Sequence, residues 1–145
     1  MTTPAARAAT LARALRAGLE RDFDTIRELC TDDVRAWTPA LATASRDELV
    51  DRLDARDESF SEFELDVVPL PVDGDLACVE WVVGMTHTGP LAVAGGEVVE
   101  PTGLRVALHG VTVAEFRDDR ICSLRQYWDE LSAYEQLGLF DRARA

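Results

Sequence analysis

Apolar residues recur at helical spacing in the first part of the chain. Thr3 and Pro4 form a favourable helix start, because Thr caps a helix and Pro lacks the N–H that would need a partner. Four apolar residues spaced by four then place a stripe on one face of a long first helix: Leu11, Leu15, Leu19 and Phe23. We expect this helix to end near residues 21–24 and a second short helix to cover residues 25–30. Ser45 and Glu48 form a capping box, in which each side chain accepts a hydrogen bond from the other's backbone N–H, and they open a third helix.

Alternation of apolar and polar residues predicts strands in most of the remaining chain. Asp32 and Asp33 mark a turn before a short strand at residues 34–38, which Pro39 stops. From residue 60 onward, apolar and acidic positions alternate, and Phe63, Leu65 and Val67 form the dry face. The turn at residues 72–75 carries Gly where a positive φ is needed. Long strands follow at residues 76–88 and 105–116, separated by a Gly- and Pro-rich excursion at residues 89–103, and a last strand leads into a terminal helix. The order predicts an α+β fold with the helices gathered on one face of a curved, mostly antiparallel sheet.

Composition limits the classes of function. A chain of 145 residues fits one domain, covering residues 1–145, and can bury enough surface to hold an internal pocket. The net charge of −12 argues against binding to nucleic acid, whose affinity for proteins depends on basic residues. The chain has no run of eighteen apolar residues and no signal-peptide pattern at its start, so we expect a soluble cytoplasmic protein that does not bind membranes. Its three cysteines show no Cys-x-x-Cys spacing and are expected to be buried thiols in a reducing compartment.

Asp129 lies where the last predicted strand passes into the terminal helix, after Tyr127 and Trp128. An Asp at this position is an ordinary helix cap, which accepts hydrogen bonds from backbone N–H groups two or three residues later. The same carboxylate beside an apolar cavity would suit a general acid and base. The residues alone leave both interpretations open.

The chain resembles the nuclear-transport-factor-2-like superfamily, and more narrowly its SnoaL-like polyketide cyclase branch, over nearly its whole length. Five segments carry the resemblance through their order and spacing: Thr86-His87-Thr88-Gly89-Pro90-Leu91, Pro101-Thr102-Gly103-Leu104-Arg105-Val106, Arg120-Ile121, Tyr127-Trp128-Asp129 and Gln136-Leu137-Gly138. The resemblance implies a cone-shaped, strongly curved sheet wrapped around N-terminal helices, with an internal cavity. It also implies a homodimer and a cofactor-free cyclase that closes a ring on a hydrophobic polyketide-like substrate in bacterial secondary metabolism. In that branch, the residue that matches Asp129 is the general acid and base of an aldol ring closure.

Two further residues are predicted to act with Asp129. A neutral imidazole such as His109 can donate a hydrogen bond to a substrate carbonyl and stabilise the enolate of an aldol step. Tyr127 lies about 6 to 7 Å from Asp129 along an extended strand, close enough to share a bound molecule. Arg125 lies roughly 13 Å away along the same strand, beyond the reach of an ion pair. We therefore expect Asp129, His109 and Tyr127 to be catalytic, and Arg125 to bind substrate.

The remaining candidates are substrate-binding residues. Trp37, Trp81 and Trp128 offer broad flat surfaces suited to a planar or polyene substrate, and ordinary core packing is the alternative for each. His87 is a second hydrogen-bond donor for a substrate, or else the end of a strand. No metal site is expected, since His87 and His109 lie on different predicted strands without a cluster of ligating residues around them.

Three alternatives remain open. If Asp129 only caps its helix, the cavity could promote a pericyclic cyclisation by shape alone. A noncatalytic ligand-binding or protein-association module would need no catalytic carboxylate. An isomerase or epoxide hydrolase would need a second carboxylate facing inward, and Glu64 or Glu80 would have to supply it.

Overall fold

The computed structural model describes residues 3–93 and 95–140. The helices within these residues are α1 (Pro4–Glu20), α2 (Phe23–Leu29), α3 (Arg46–Asp54) and α4 (Glu130–Gln136). The strands are β1 (Cys30–Thr38), β2 (Leu41–Thr43), β3 (Phe60–Leu70), β4 (Leu76–His87), β5 (Leu91–Ala92), β6 (Val98–Val99), β7 (Arg105–Arg117) and β8 (Arg120–Trp128). None of the helices in the described ranges is both long and apolar enough to cross a membrane.

Six strands pair into one sheet in the order β2-β1-β8-β7-β4-β3, and β5 pairs separately with β6. β1 runs antiparallel to β2 and parallel to β8, whereas β7 and β8 are antiparallel. Two register positions matter for the site: Trp37 lies opposite Arg125, and Gly110 lies opposite Trp128. The predicted fold class, α+β with a mostly antiparallel sheet, is confirmed, and the internal cavity stays a prediction.

The described residues form two compact units. The first comprises residues 3–56, 67–81 and 110–128. In this unit α2 and α3 pack against β1, and strand alternation turns one side of the sheet towards the apolar core. Its fully buried apolar side chains include Leu11, Val34, Val79, Ala114 and Ile121.

The second unit comprises residues 57–66, 82–93, 95–109 and 129–140. Its buried apolar residues come from β4, β6, β7 and the C-terminal segment: Val83, Met85, Val99, Val106, Ala133 and Leu137. The organisation of residues 1–145 as a single domain stays a prediction.

Several element boundaries differ from those predicted. β1 begins at Cys30 rather than at residue 34, because Cys30 pairs with Ile121 and the exposed Asp32 and Asp33 continue the strand instead of forming a turn. Pairing with a neighbouring strand here overrides the low strand propensity of Asp. α2 begins at Phe23 because the side chain of Asp22 accepts a hydrogen bond from Thr25 N at 3.2 Å and caps the helix.

Two local predictions need correction. At the start of α3, Glu48 N donates to Ser45 Oγ at 3.1 Å as expected, but Glu48 Oε2 accepts from Ala44 N rather than from Ser45 N. In β3, Phe63 is exposed instead of lying on a dry face. Glu62 has φ of +55°, and this left-handed residue interrupts the alternation of the strand just before Phe63.

Candidate active site

Asp129 follows the last residue of β8 and is the N-cap of α4. Its Oδ1 accepts a hydrogen bond from Ser132 N at 3.0 Å, and the side chain is exposed. Capping therefore occupies one carboxylate oxygen. The described part of the chain provides no hydrogen-bond partner for Oδ2, which remains available to a bound molecule.

His109 lies directly opposite Asp129 across the end of the β7–β8 pair. Asp129 N donates to His109 O at 3.0 Å. Residues opposite each other in an antiparallel pair project to the same side of the sheet, with Cβ atoms about 4.5–5.5 Å apart. The structure thus brings together the carboxylate and the imidazole that the sequence selects as an acid/base and a hydrogen-bond donor, and both side chains are exposed.

Gln136 fixes α4 against β7 beside this pair. Its Oε1 accepts from Ala107 N at 2.9 Å, and its Nε2 donates to Ala107 O at 2.9 Å. The side-chain amide therefore bonds both backbone groups of Ala107, as a neighbouring strand would. Sequence reasoning noted Gln136 within a motif but did not assign it this role, which positions Asp129 relative to His109.

Tyr127, Trp37 and Arg125 share one face of the sheet in the first unit. The Trp37 and Tyr127 rings contact each other, with centroids 5.2 Å apart and planes tilted by 44°. Trp37 lies opposite Arg125 on the neighbouring strand, and Tyr127 follows two residues later on the same face. Trp37 is 43% exposed and Tyr127 is 50% exposed, so this face carries an exposed aromatic pair.

Trp81 and Trp128 lie on the other face of the sheet in that unit. Trp81 Nε1 donates to the buried Thr112 Oγ1 at 2.9 Å, and the indole also covers Gly110, where a Cβ atom would lie 2.2 Å from Trp81 Cζ2. Trp128 is opposite Gly110 and therefore shares its face. Sequence reasoning missed Gly110 and Thr112, although a glycine inside a strand pattern is a recognised sign of close approach.

In the second unit, His87 and His109 lie on opposite faces of the sheet. The Arg105 guanidinium packs over Gly84 and donates to Thr86 Oγ1 at 3.1 Å, so Arg105 shares their face. By alternation His109 lies on the Arg105 side of β7, whereas His87 on β4 lies on the other side. The sequence-selected residues therefore do not form one cluster, and their individual roles stay predictions.

Other reactive side chains are placed less favourably for chemistry. Glu64 and Glu80 are exposed, and Glu64 pairs with Arg105 at 3.5 Å, so neither meets the condition of an inward second carboxylate. Burial raises the pKa of the Cys30 thiol to about 11, which disfavours the thiolate needed for nucleophilic attack. Among the described residues, no three His, Cys, Asp or Glu side chains are grouped to hold a metal ion.

Comparison with known proteins identifies the family. The family model of the SnoaL-like polyketide cyclases matches residues 9–137. No curated protein matches the chain significantly. Among solved structures, IdmH of Streptomyces antibioticus, a proposed polyketide cyclase, is 22% identical with a TM-score of 0.75, covering 91% of this chain and 98% of IdmH.

Two further structures share the fold. AclR of Streptomyces galilaeus, a proposed hydroxylase, is 22% identical with a TM-score of 0.73, covering 94% of this chain and 98% of AclR. An LEH-like epoxide hydrolase of M. tuberculosis is 20% identical with a TM-score of 0.66, covering 90% of this chain and 88% of that protein. Because the activities given or proposed for these neighbours differ, structural likeness establishes the fold and not the reaction. The match of the family model over most of the sequence shows that this chain belongs to the SnoaL-like polyketide cyclase family.

Proposed function

We propose that the protein is a cofactor-free cyclase that closes a ring on a hydrophobic, polyketide-derived intermediate in bacterial secondary metabolism. Membership of the SnoaL-like family supports the reaction class. The observation that carries the mechanism is the backbone hydrogen bond from Asp129 N to His109 O at 3.0 Å. It puts a carboxylate and an imidazole on one side of the sheet, within reach of one substrate.

In the proposed aldol step, the Asp129 carboxylate takes a proton from a carbon that lies next to a substrate carbonyl. His109 donates a hydrogen bond to the oxygen of the resulting enolate. The enolate carbon then attacks a second carbonyl of the same molecule, and Asp129 returns the proton to the new alkoxide. The product is an isomer of the substrate, so the step needs no redox partner or cofactor.

A second mechanism relies on shape instead of acid/base chemistry. Asp129 is exposed and already caps α4, and the half-buried Trp128 offers an aromatic surface on the face where the buried Trp81 covers Gly110. A flat aromatic surface of this kind could hold a flexible chain in its reactive conformer and so promote a pericyclic closure.

Asp129→Asn separates the two mechanisms, because Asn is as good an N-cap as Asp and leaves the helix intact. The assay follows ring closure of linear polyketide intermediates by mass spectrometry and NMR. It also follows deuterium uptake at the enolisable carbon in D₂O. Loss of general acid/base catalysis lowers the rate by about 10²- to 10⁴-fold. Asp129→Ala serves as a control that removes both the cap and the carboxylate.

A turnover of Asp129→Asn within about twofold of wild type would refute the acid/base mechanism and favour templating. Absence of ring closure by the wild-type protein, together with retained binding of the intermediates, would instead favour a noncatalytic ligand-binding module.

We also propose a homodimer that forms through the exposed aromatic face of the first unit. The paired, half-exposed rings of Trp37 and Tyr127 support this assignment, since large exposed aromatics are enriched at protein interfaces. Light scattering on the wild type and on the double variant Trp37→Ser, Tyr127→Ser tests it, with a monomeric wild type as the refuting result. The proposed substrate and the free cysteines are consistent with a cytoplasmic location.

A further inference from the structure

His87 is a buried polar residue of the second unit and the last residue of β4. It is 0% exposed. Its backbone anchors the segment before β7, since His87 N donates to Leu104 O at 2.9 Å and His87 O accepts from Gly103 N at 2.9 Å. The imidazole therefore occupies a fixed position beside that segment.

The hydrogen bonds of the ring assign its tautomer. Thr102 N donates to His87 Nδ1 at 3.2 Å, so Nδ1 is an acceptor and carries no hydrogen. Thr102 Oγ1 lies 3.0 Å from Nδ1 and itself accepts from Leu104 N at 3.2 Å, which leaves its hydroxyl hydrogen free to point at Nδ1. The ring hydrogen of the uncharged imidazole must then be on Nε2.

His87 Nε2 has no hydrogen-bond partner among the described residues, although the atom is buried. Phe60 packs on the imidazole with ring centroids 5.4 Å apart, but the planes are tilted by only 39°. An in-plane N–H points at the face of a neighbouring ring when the two planes are nearly perpendicular, so Phe60 is a poor acceptor. A buried donor without an acceptor destabilises the folded state, and a bound molecule that supplies an acceptor removes this cost.

We propose that His87 Nε2–H is a ligand-binding donor that takes an uncharged carbonyl oxygen. The donor is neutral, and the buried residues Met85 and Val106 on the same face of the sheet are apolar, so a charged ligand would lose its hydration without a compensating charge. An incoming oxygen needs a neighbouring side chain to move, and we assign this movement to Phe60, which is half-buried.

This inference rests on the proposed function for its ligand class, because polyketide intermediates carry several carbonyl groups. His87 lies on the other face of the sheet from His109, so the carbonyl at His87 is bound at a site separate from the Asp129–His109 pair.

The experiment compares 9-fluorenone with fluorene, two planar probes that differ in one carbonyl group. Wild-type protein is expected to bind fluorenone about five- to tenfold more tightly than fluorene, the worth of one neutral hydrogen bond. His87→Asn keeps an acceptor near the position of Nδ1 for Thr102 N and removes the Nε2 donor, so it should bind both probes equally. His87→Gln places an amide donor near the position of Nε2 and should retain the preference.

Nitrogen-15 NMR supplies a readout that does not depend on the variants. The sequence has two histidines, and His109→Gln assigns their signals. The Nε2 resonance of His87 should move on addition of fluorenone and not of fluorene. Equal binding of the two probes by wild type, no binding of fluorenone, or a preference that persists in His87→Asn would overturn the inference. Because no turnover is measured, the result does not depend on whether Asp129→Asn retains activity.

Discussion

Gly110→Ala should destabilise the protein by displacing Trp81. A Cβ atom at position 110 would lie 2.2, 2.5 and 2.7 Å from Cζ2, Cη2 and Cε2 of the indole. These distances are far inside van der Waals contact, so the ring must shift by an ångström or more. The shift also breaks the hydrogen bond from Trp81 Nε1 to the buried Thr112 Oγ1.

The size of the effect follows from these contacts. Overpacking a core costs about 1–3 kcal/mol, and an unsatisfied buried donor or acceptor costs about 1–3 kcal/mol more. The substitution recovers about 0.5–1 kcal/mol of backbone entropy, because glycine inside a strand is unfavourable. The expected net loss is about 1–5.5 kcal/mol, a large part of the total stability of an ordinary domain.

Urea unfolding monitored by tryptophan fluorescence and far-UV circular dichroism measures the change. Gly18→Ala is the matched control, because a Cβ atom at Gly18 meets nothing within 4 Å and the residue lies inside α1. That control should stabilise the protein by about 0.5–1 kcal/mol. A loss below 0.5 kcal/mol in Gly110→Ala would refute the placement of Trp81 on Gly110. The stability lost in the double variant Gly110→Ala, Trp81→Leu should differ from the sum of the losses in the two single variants.

Two further predictions concern the helix anchor and an exposed ion pair. Gln136→Leu removes both hydrogen bonds to Ala107 and should cost about 1–2 kcal/mol in urea unfolding. Gln136→Glu puts a second acceptor against Ala107 O and should also lower stability. A Gln136→Leu variant as stable as wild type would contradict the anchoring role. The hydrogen bond from Arg117 holds the pKa of Asp33 in the folded protein below 3.8. The pair therefore stabilises the fold at pH values above the pKa of Asp33 in the unfolded chain. This contribution is lost as pH falls through the lower pKa of Asp33 in the folded protein. Arg117→Gln should return the NMR titration midpoint of Asp33 towards 3.8, and an unchanged midpoint would remove Arg117 as the cause.

The sequence by itself determined the starts of α1, α3 and α4. Thr3 caps α1 as expected, and Ser45 caps α3. Asp129 caps α4. It therefore has a structural role as a helix cap, in addition to its proposed role as an acid and base. These helix starts depend on residues three or four positions apart, so they can be predicted from a short stretch of sequence.

Only the tertiary structure decided which residues meet. The pairing of His109 with Asp129 joins residues twenty positions apart, and the contact of Trp81 with Gly110 joins residues on different strands. The pairing of β1 with β8 made Asp32 and Asp33 part of β1 instead of a turn. Side chains alternate with a period of two, so a shift of one residue in strand register moves each side chain to the other face. That register is fixed by contacts between distant segments, and for this reason the local pattern selected the candidate residues but could not assign Tyr127, Trp128, His87 and His109 to their faces.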